Sequence, residues 1–264
     1  MGTSFISIIQ EFLDGHSLDY KCLERFIVFK DHDIVINAVE MLGQTDNHAT
    51  KDRFPGKKVL KVYEDLWYSK GDIVRSSILA NLKRGGVIYA RRCIVRELET
   101  DTAFRFLESN HILGGSKSRF RYGLFYNNEL VAVATFSQSR PIQRGDSIVS
   151  SYEWLRYASL GSLRVTGGMG RLMNFFVKAR MPQEIMSYAD MDWSDGDAYI
   201  RLGFEEIGKT PPIEFFVNRV TFERFSKRKL LKDRKYRHQE LCQKDLVLLV
   251  NSGNLKFIKR FPIL

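Results

Sequence analysis

Cysteine is scarce in this 264-residue chain: Cys22, Cys93 and Cys242 lie far apart and make no C-x-x-C pair. That spacing excludes a disulfide framework and a zinc ribbon, and each thiol is expected to act as a small buried hydrophobe. Long apolar runs are also missing, since nothing approaches the roughly 18 residues that a membrane-spanning helix needs. The stretch Ser4-Phe5-Ile6-Ser7-Ile8-Ile9 has neither a basic leader nor a small-residue cleavage site. No internal repeat or low-complexity tract interrupts the chain. The expectation is a soluble, cytoplasmic protein of one or two domains with no membrane partner.

Acidic charge is in deficit. Lys and Arg number 41 against 31 Asp and Glu, giving a net charge of +10 and a pI near 9.5. Such a balance favours an anionic partner. The excess is concentrated between Arg219 and Arg237, where nine basic residues face only Glu223 and Asp233. Phe222 and Phe225 alternate with these cations, as in a segment anchored on a core while Arg224, Lys227, Arg228, Lys229 and Lys232 face phosphates. A solvated charged helix is the alternative.

Hydrophobic content of 44% is enough for one large core or two modest ones. Residues 4–13 have helical apolar spacing, and Phe26-Ile27-Val28-Phe29 with Ile34-Val35-Ile36 suggest a hairpin. Residues 44–58 read as a loop, 59–63 as a strand, 64–67 as the start of a turn and 73–82 as a helix. Gly85-Gly86 is the expected domain boundary, giving domains 1–85 and 86–264. Beyond it the pattern predicts a strand over 87–98, a helix over 101–109, a hairpin around Asn127-Asn128 and a strand over 152–158. A helix over 168–179, a strand over 184–188 and a helix over 194–202 follow, with a last strand at 204–208 or 214–218. The order implies an α+β fold with a mixed sheet flanked by helices, preceded by a small α/β domain.

The glycine-rich turn Val165-Thr166-Gly167-Gly168-Met169-Gly170-Arg171 opens a helix. Unpaired amides and the helix dipole attract phosphate there, and Gly167, Gly168 and Gly170 permit close backbone approach, with Arg164 and Arg171 adding charge. A pyrophosphate such as that of coenzyme A would fit, although a glycine turn needed for tight packing gives the same pattern. Asp190 follows a predicted strand, where a carboxylate suits a base or a metal ligand. Arg156, beside Glu153, suits either a phosphate contact or a surface ion pair. His111 ends a helix, as a catalytic imidazole or as a cap on its carbonyls. His111 and Asp190 alone are too few for a metal site, and none is expected.

This order of elements resembles the GNAT acyltransferase superfamily, and Asp197-Ala198-Tyr199-Ile200-Arg201-Leu202-Gly203-Phe204 looks like its late motif. The resemblance implies acetyl-CoA or another acyl-CoA as cofactor and Tyr199 as general acid to the leaving thiolate. Met169 departs from the family pattern, standing where a second small residue belongs. A closer resemblance is to Mom-type phage DNA-modification proteins and to the C-terminal module of phage Hef-like homing endonucleases. It is carried by Phe106 to Gly114, Tyr122 to Val131, Glu153-Trp154-Leu155-Arg156, Ser187-Tyr188-Ala189-Asp190 and Asn251 to Lys256. It implies a GNAT-like fold acting on DNA, with Arg156, Asp190 and Tyr199 at matching positions and His111 nearby. Residues 59–82 look like the close of a Vsr-like nuclease domain whose Asp and Glu-x-Lys are missing, which implies a non-cleaving remnant. The leading expectation is an acyltransferase-like protein that acts on or binds nucleic acid, DNA by what that resemblance implies. A catalytically inactive DNA-binding accessory protein of a mobile element is the second reading, and a small-molecule N-acetyltransferase the third.

Overall fold

A computed structural model of the chain describes residues 4–42, 53–227 and 245–262. It contains two compact units, one of Met1–Gly71, Asp190–Asp195 and Lys209–Asn254, the other of Asp72–Ala189, Gly196–Gly208 and Leu255–Leu264. The units are therefore discontinuous in sequence, whereas a boundary at Gly85-Gly86 would divide the chain once.

The first unit opens with helix α1 (Phe5–Asp14), whose Phe5, Ile9 and Leu13 recur every four residues and are all buried. Strands β1 (Tyr20–Leu23), β2 (Phe26–Phe29) and β3 (Ile34–Val39) form an antiparallel meander, and β4 (Lys58–Tyr63) joins β3 in parallel. Cys22 on β1 is exposed, contrary to its expected burial, because β1 is an edge strand; Cys93 is buried. Helix α2 (Glu64–Ser69) replaces the expected turn. Glu64 and Asp65 in its first turn favour the helix dipole, and Trp67 packs edge-on to Phe5 and Phe12 at 6.0 and 5.6 Å.

The second unit takes up most of helix α3 (Gly71–Asn81). The expected strand over 87–98 is interrupted: β5 (Val87–Tyr89) and β6 (Ile94–Glu97) are separated by a 3-10 turn at Ala90–Arg92, which buries Ala90 and Cys93. Helix α4 (Thr100–Asn110) is followed by the hairpin of β7 (Phe120–Tyr126) and β8 (Glu129–Phe136). Its two turn residues, Asn127 and Asn128, both have positive φ, 48° and 63°, the geometry that matches strand twist. Strand β9 (Arg140–Arg144) precedes the long central β10 (Ser147–Ser159), which starts earlier than its apolar residues suggest because it pairs β9 at its beginning. Then come β11 (Arg164–Thr166), α5 (Gly168–Arg180), β12 (Glu184–Asp190) and the short α6 (Asp197–Arg201). Gly196, at φ 80°, fixes where α6 begins and makes it shorter than the expected 194–202.

Both candidate final strands form, as β13 (Glu205–Lys209) and β14 (Glu214–Asn218). In the first unit β14 is flanked by β15 (Arg224–Ser226) and β16 (Leu246–Val250), and Val217 and Leu249 pack on Met41 and Tyr63. The last strand is β17 (Asn254–Arg260). The main sheet runs β13-β17-β12-β10-β8-β7-β6, with β9 also on β10. Its β10–β12 pair is parallel amid antiparallel neighbours, so the sheet is mixed. Ala103 and Leu107 of α4 pack with Val133 and Ala158 on one face. On the other, Phe176 of α5 stacks on Phe136 at 4.0 Å and 5°, and Phe136 on Trp154 at 5.3 Å. Each such buried ring contributes about 1.5–3 kcal/mol. The fold is thus α+β, a mixed sheet with helices on both faces. Among the described residues no helix is long and apolar enough to cross a membrane.

Candidate active site

The site begins where two parallel strands part. Pairing of β10 with β12 runs from Ser151↔Glu184 to Trp154↔Ser187, and both strands continue beyond that point. Meanwhile β10 stays with β8 through a bulge between Trp154 and Arg156. A bulge bends its strand and re-aims the side chains that follow.

Ser187, fully buried, lies at the fork. Its Oγ is 3.0 Å from the Trp154 carbonyl and 2.9 Å from Tyr199 Oη. The single Ser187 hydroxyl proton can be donated to either oxygen, and when it turns to Tyr199 Oη it leaves the phenol's own proton free. The tyrosine is held by stacking on Phe257 at 5.0 Å and 15° and by edge contacts with Trp154 and Phe204. Burial pushes its phenol above the usual range. Tyr199 therefore remains a proton donor at neutral pH.

Next to the fork stands the glycine turn. Gly167 precedes α5 at φ 78°, where a side chain would be strained. A Cβ on Gly168 would sit 2.5 Å from Tyr157 Oη, so the helix approaches β10 as only glycine allows. The Arg171 N–H reaches back to the Gly167 carbonyl at 3.0 Å. The amides of Gly168, Met169 and Gly170 are the first-turn donors that the helix itself does not pair. The turn borders a cleft of about 670 Å³ whose lining includes Gly167, Gly170, Arg91, Arg171, Phe175 and Lys178. Three cations and a glycine cradle suit the pyrophosphate and ribose phosphate of coenzyme A.

The remaining predicted residues are spread more widely. Arg156 follows the bulge, and its Nη1 donates to the Leu155 carbonyl at 2.7 Å. His111 is the C-cap of α4, and its Nδ1 accepts the Leu113 N–H at 3.1 Å. The imidazole thus shapes the following turn and caps no helix carbonyl through that nitrogen. Asp190 belongs to the first unit. There its Oδ1 accepts the Asp192 N–H at 2.9 Å. Burial and the neighbouring Asp192 raise its carboxyl to about 6.

Asp192 has further partners in that unit: Tyr63 Oη donates to it at 3.0 Å, and Lys61 Nζ lies 3.7 Å away. Lys61 also donates to Ser252 Oγ at 2.7 Å. The buried polar side chain opposite Lys61 on β3 is Asn37, an amide rather than a carboxylate. Among the described residues no group of three or more His, Cys, Asp or Glu is placed to hold a metal ion.

The basic segment divides in two. Arg224 does not face outward as a phosphate contact: its guanidinium binds Asp65 through two bonds of 2.7 and 2.8 Å. Lys227 donates to Glu214 at 2.6 Å. Both cations are balanced inside the first unit because β15 pairs with β14 and carries them toward those carboxylates. Arg228, Lys229 and Lys232 lie outside the described residues. Sequence reasoning missed Ser187, Tyr157 and the Lys61–Asp192 pair, whose roles arise from contacts between distant strands.

No family model matches the chain. No curated protein matches it. Solved structures do resemble it. An acetyltransferase of Bacillus subtilis in complex with CoA is 13% identical, with 64% of this chain and 99% of that one covered at a TM-score of 0.38. A GNAT family acetyltransferase of Elizabethkingia anophelis with acetyl-CoA bound is 11% identical over 64% and 99%, at 0.37. A histone acetyltransferase-related acetyltransferase of Corynebacterium glutamicum is 18% identical over 55% and 66%, at 0.32.

Proposed function

We propose that the second unit is a GNAT-like acyltransferase core that binds an acyl-CoA at the 167–171 turn and acts on or binds nucleic acid. The observation that carries the acyltransferase reading is the fork of β10 and β12, closed by the Tyr199–Ser187–Trp154 chain beside a phosphate-suited cleft. The first-turn amides, Arg171 and Lys178 would hold the phosphates. A bound acyl-CoA supplies an activated thioester acyl group. Tyr199 holds a proton at Oη, aligned by Ser187, for the group that leaves.

Two tests bear on this reading. Acetyl-CoA titrated calorimetrically should bind, and Arg171→Gln should weaken it. Tyr199→Phe should lower any transfer rate by about 10²–10⁴-fold. Failure to bind acyl-CoA, together with full activity in Tyr199→Phe, would sink the proposal.

The nucleic-acid acceptor is supported by the Mom-type resemblance and by the net charge of +10. Mass spectrometry of nucleosides from cells expressing the protein or Tyr199→Phe tests it directly. An inactive DNA-binding accessory protein is the second reading, favoured by Met169 in the glycine turn and by Asn37 in place of a carboxylate on β3. It requires binding that falls steeply with salt and weakens on charge reversal of Lys227, Arg228 and Lys229. Unmodified nucleosides together with an acetylated small amine would instead identify a small-molecule N-acetyltransferase.

A further inference from the structure

We propose that Arg121, Thr135 and Arg156 form an oxyanion site on the sheet of the second unit, suited to a phosphate ester carried by the acceptor. The three residues stand in one row across neighbouring strands, with Arg121↔Thr135 in register on β7 and β8 and Thr135↔Arg156 on β8 and β10. The bulge creates this row. Trp154 is opposite Phe136, so an unbroken β10 would place Leu155 opposite Thr135 and turn Arg156 toward the other face. The extra residue brings Arg156 onto the Thr135 face instead. That face is the one covered by α4, as the next pair in register, Val133 and Ala158, shows by its packing on Ala103 and Leu107.

The row has unmet hydrogen-bonding capacity. Thr135 is 1% exposed and its Oγ1 has no partner, and neither has the buried Nε of Arg156. The two orphaned groups belong to directly paired residues. Arg156 otherwise donates to the Leu155 carbonyl, and Arg121 donates to the carbonyls of Leu98 and Ser118 at 3.2 and 2.7 Å. Neither guanidinium has a carboxylate among these partners, while Glu153 acts on Arg156 only at longer range. Buried polar groups are nearly always satisfied, and an oxygen carrying negative charge would satisfy both orphans and balance the two cations. Donors from three strands suit a tetrahedral phosphate. The row lies just past the fork at Trp154 and Ser187, on the face of the sheet that α4 covers. Its role in acyl transfer rests on the reading above, but its existence as an anion site does not.

The test is equilibrium binding of adenosine 5′-monophosphate, adenosine, inorganic phosphate and a single-stranded oligodeoxyadenylate to the full chain. The nucleotide is expected to bind at least about tenfold tighter than adenosine, with inorganic phosphate competing. Arg156→Gln and the near-isosteric Thr135→Val should each weaken it by about tenfold or more. Arg171→Gln, which alters the coenzyme cleft, should not. Displacement by the oligonucleotide assigns the phosphate to a strand, and displacement by mononucleotides alone assigns it to a free ester; either supports the site. Equal affinity for adenosine and its phosphate, unchanged affinity in folded Thr135→Val, or competition by acetate but not by phosphate would overturn it. Acetyl-CoA titrated into the same samples separates the two proposals, because loss of the nucleotide site with coenzyme binding intact defeats only this one.

Discussion

Replacing Asp65 with leucine should destabilise the first unit far more than loss of one carboxylate suggests. Asp65 is 0% exposed and accepts bonds of 2.7 and 2.8 Å from Nε and Nη2 along one edge of the Arg224 guanidinium. The Arg224 side chain is 16% exposed and lies over the rings of Tyr63 and Phe215 at 4.8 and 4.9 Å. Removing one partner leaves a buried charge without compensation, which costs about 3–5 kcal/mol. For a chain of this size each kcal/mol moves the melting midpoint by about 2–4 °C, so the fall should be about 6–20 °C. Arg224→Met should cost a similar amount. The double variant Asp65→Leu/Arg224→Met should recover most of the loss, because no buried charge remains. Calorimetric unfolding of all four proteins gives the coupling energy. Single variants within about 1 kcal/mol of the parent, the range of an exposed pair, would refute the reasoning and return Arg224 to the list of available phosphate contacts.

Asp190, whose carboxyl is raised to about 6, makes stability depend on pH. The folded state holds the proton more tightly than the unfolded one, so its contribution is complete below the unfolded value near 4 and is lost as pH rises through about 6. Asp190→Asn should therefore gain stability relative to the parent between pH 4 and 7, and denaturant midpoints that stay parallel would count against this. Gly168→Ala should cost about 1–3 kcal/mol and weaken acetyl-CoA binding, because its Cβ would meet Tyr157 Oη at 2.5 Å. Adding Tyr157→Phe removes that oxygen and should restore part of both, as melting and calorimetry would show. Asn128→Gly, at φ 63°, should stabilise the hairpin by a few tenths to 1 kcal/mol in chemical denaturation.

Local signals carried well into the structure. The Asn127-Asn128 hairpin, α1, α4, α5 and the glycine turn all form where spacing and turn chemistry place them, because each is decided within a few residues. Where neighbours several strands away decide, sequence reading fell short. The polar alternation of β9 hides a strand that exists through pairing with β10, and Ala90–Arg92 breaks an apparently continuous strand. Arg224 reads as one cation among many until β15 carries it to Asp65, 159 positions earlier in sequence.

By itself the sequence determined the helix and hairpin positions, the glycine turn, Tyr199 as a candidate acid and the excess of positive charge, since composition and short-range periodicity are local properties of the chain. Only the tertiary structure decided that Ser187 aligns Tyr199 at the fork, that Asp190 joins Asp192 in the first unit, and that a bulge turns Arg156 to face Thr135. Those facts depend on strand register, and register is fixed by packing a whole sheet rather than by any segment of it.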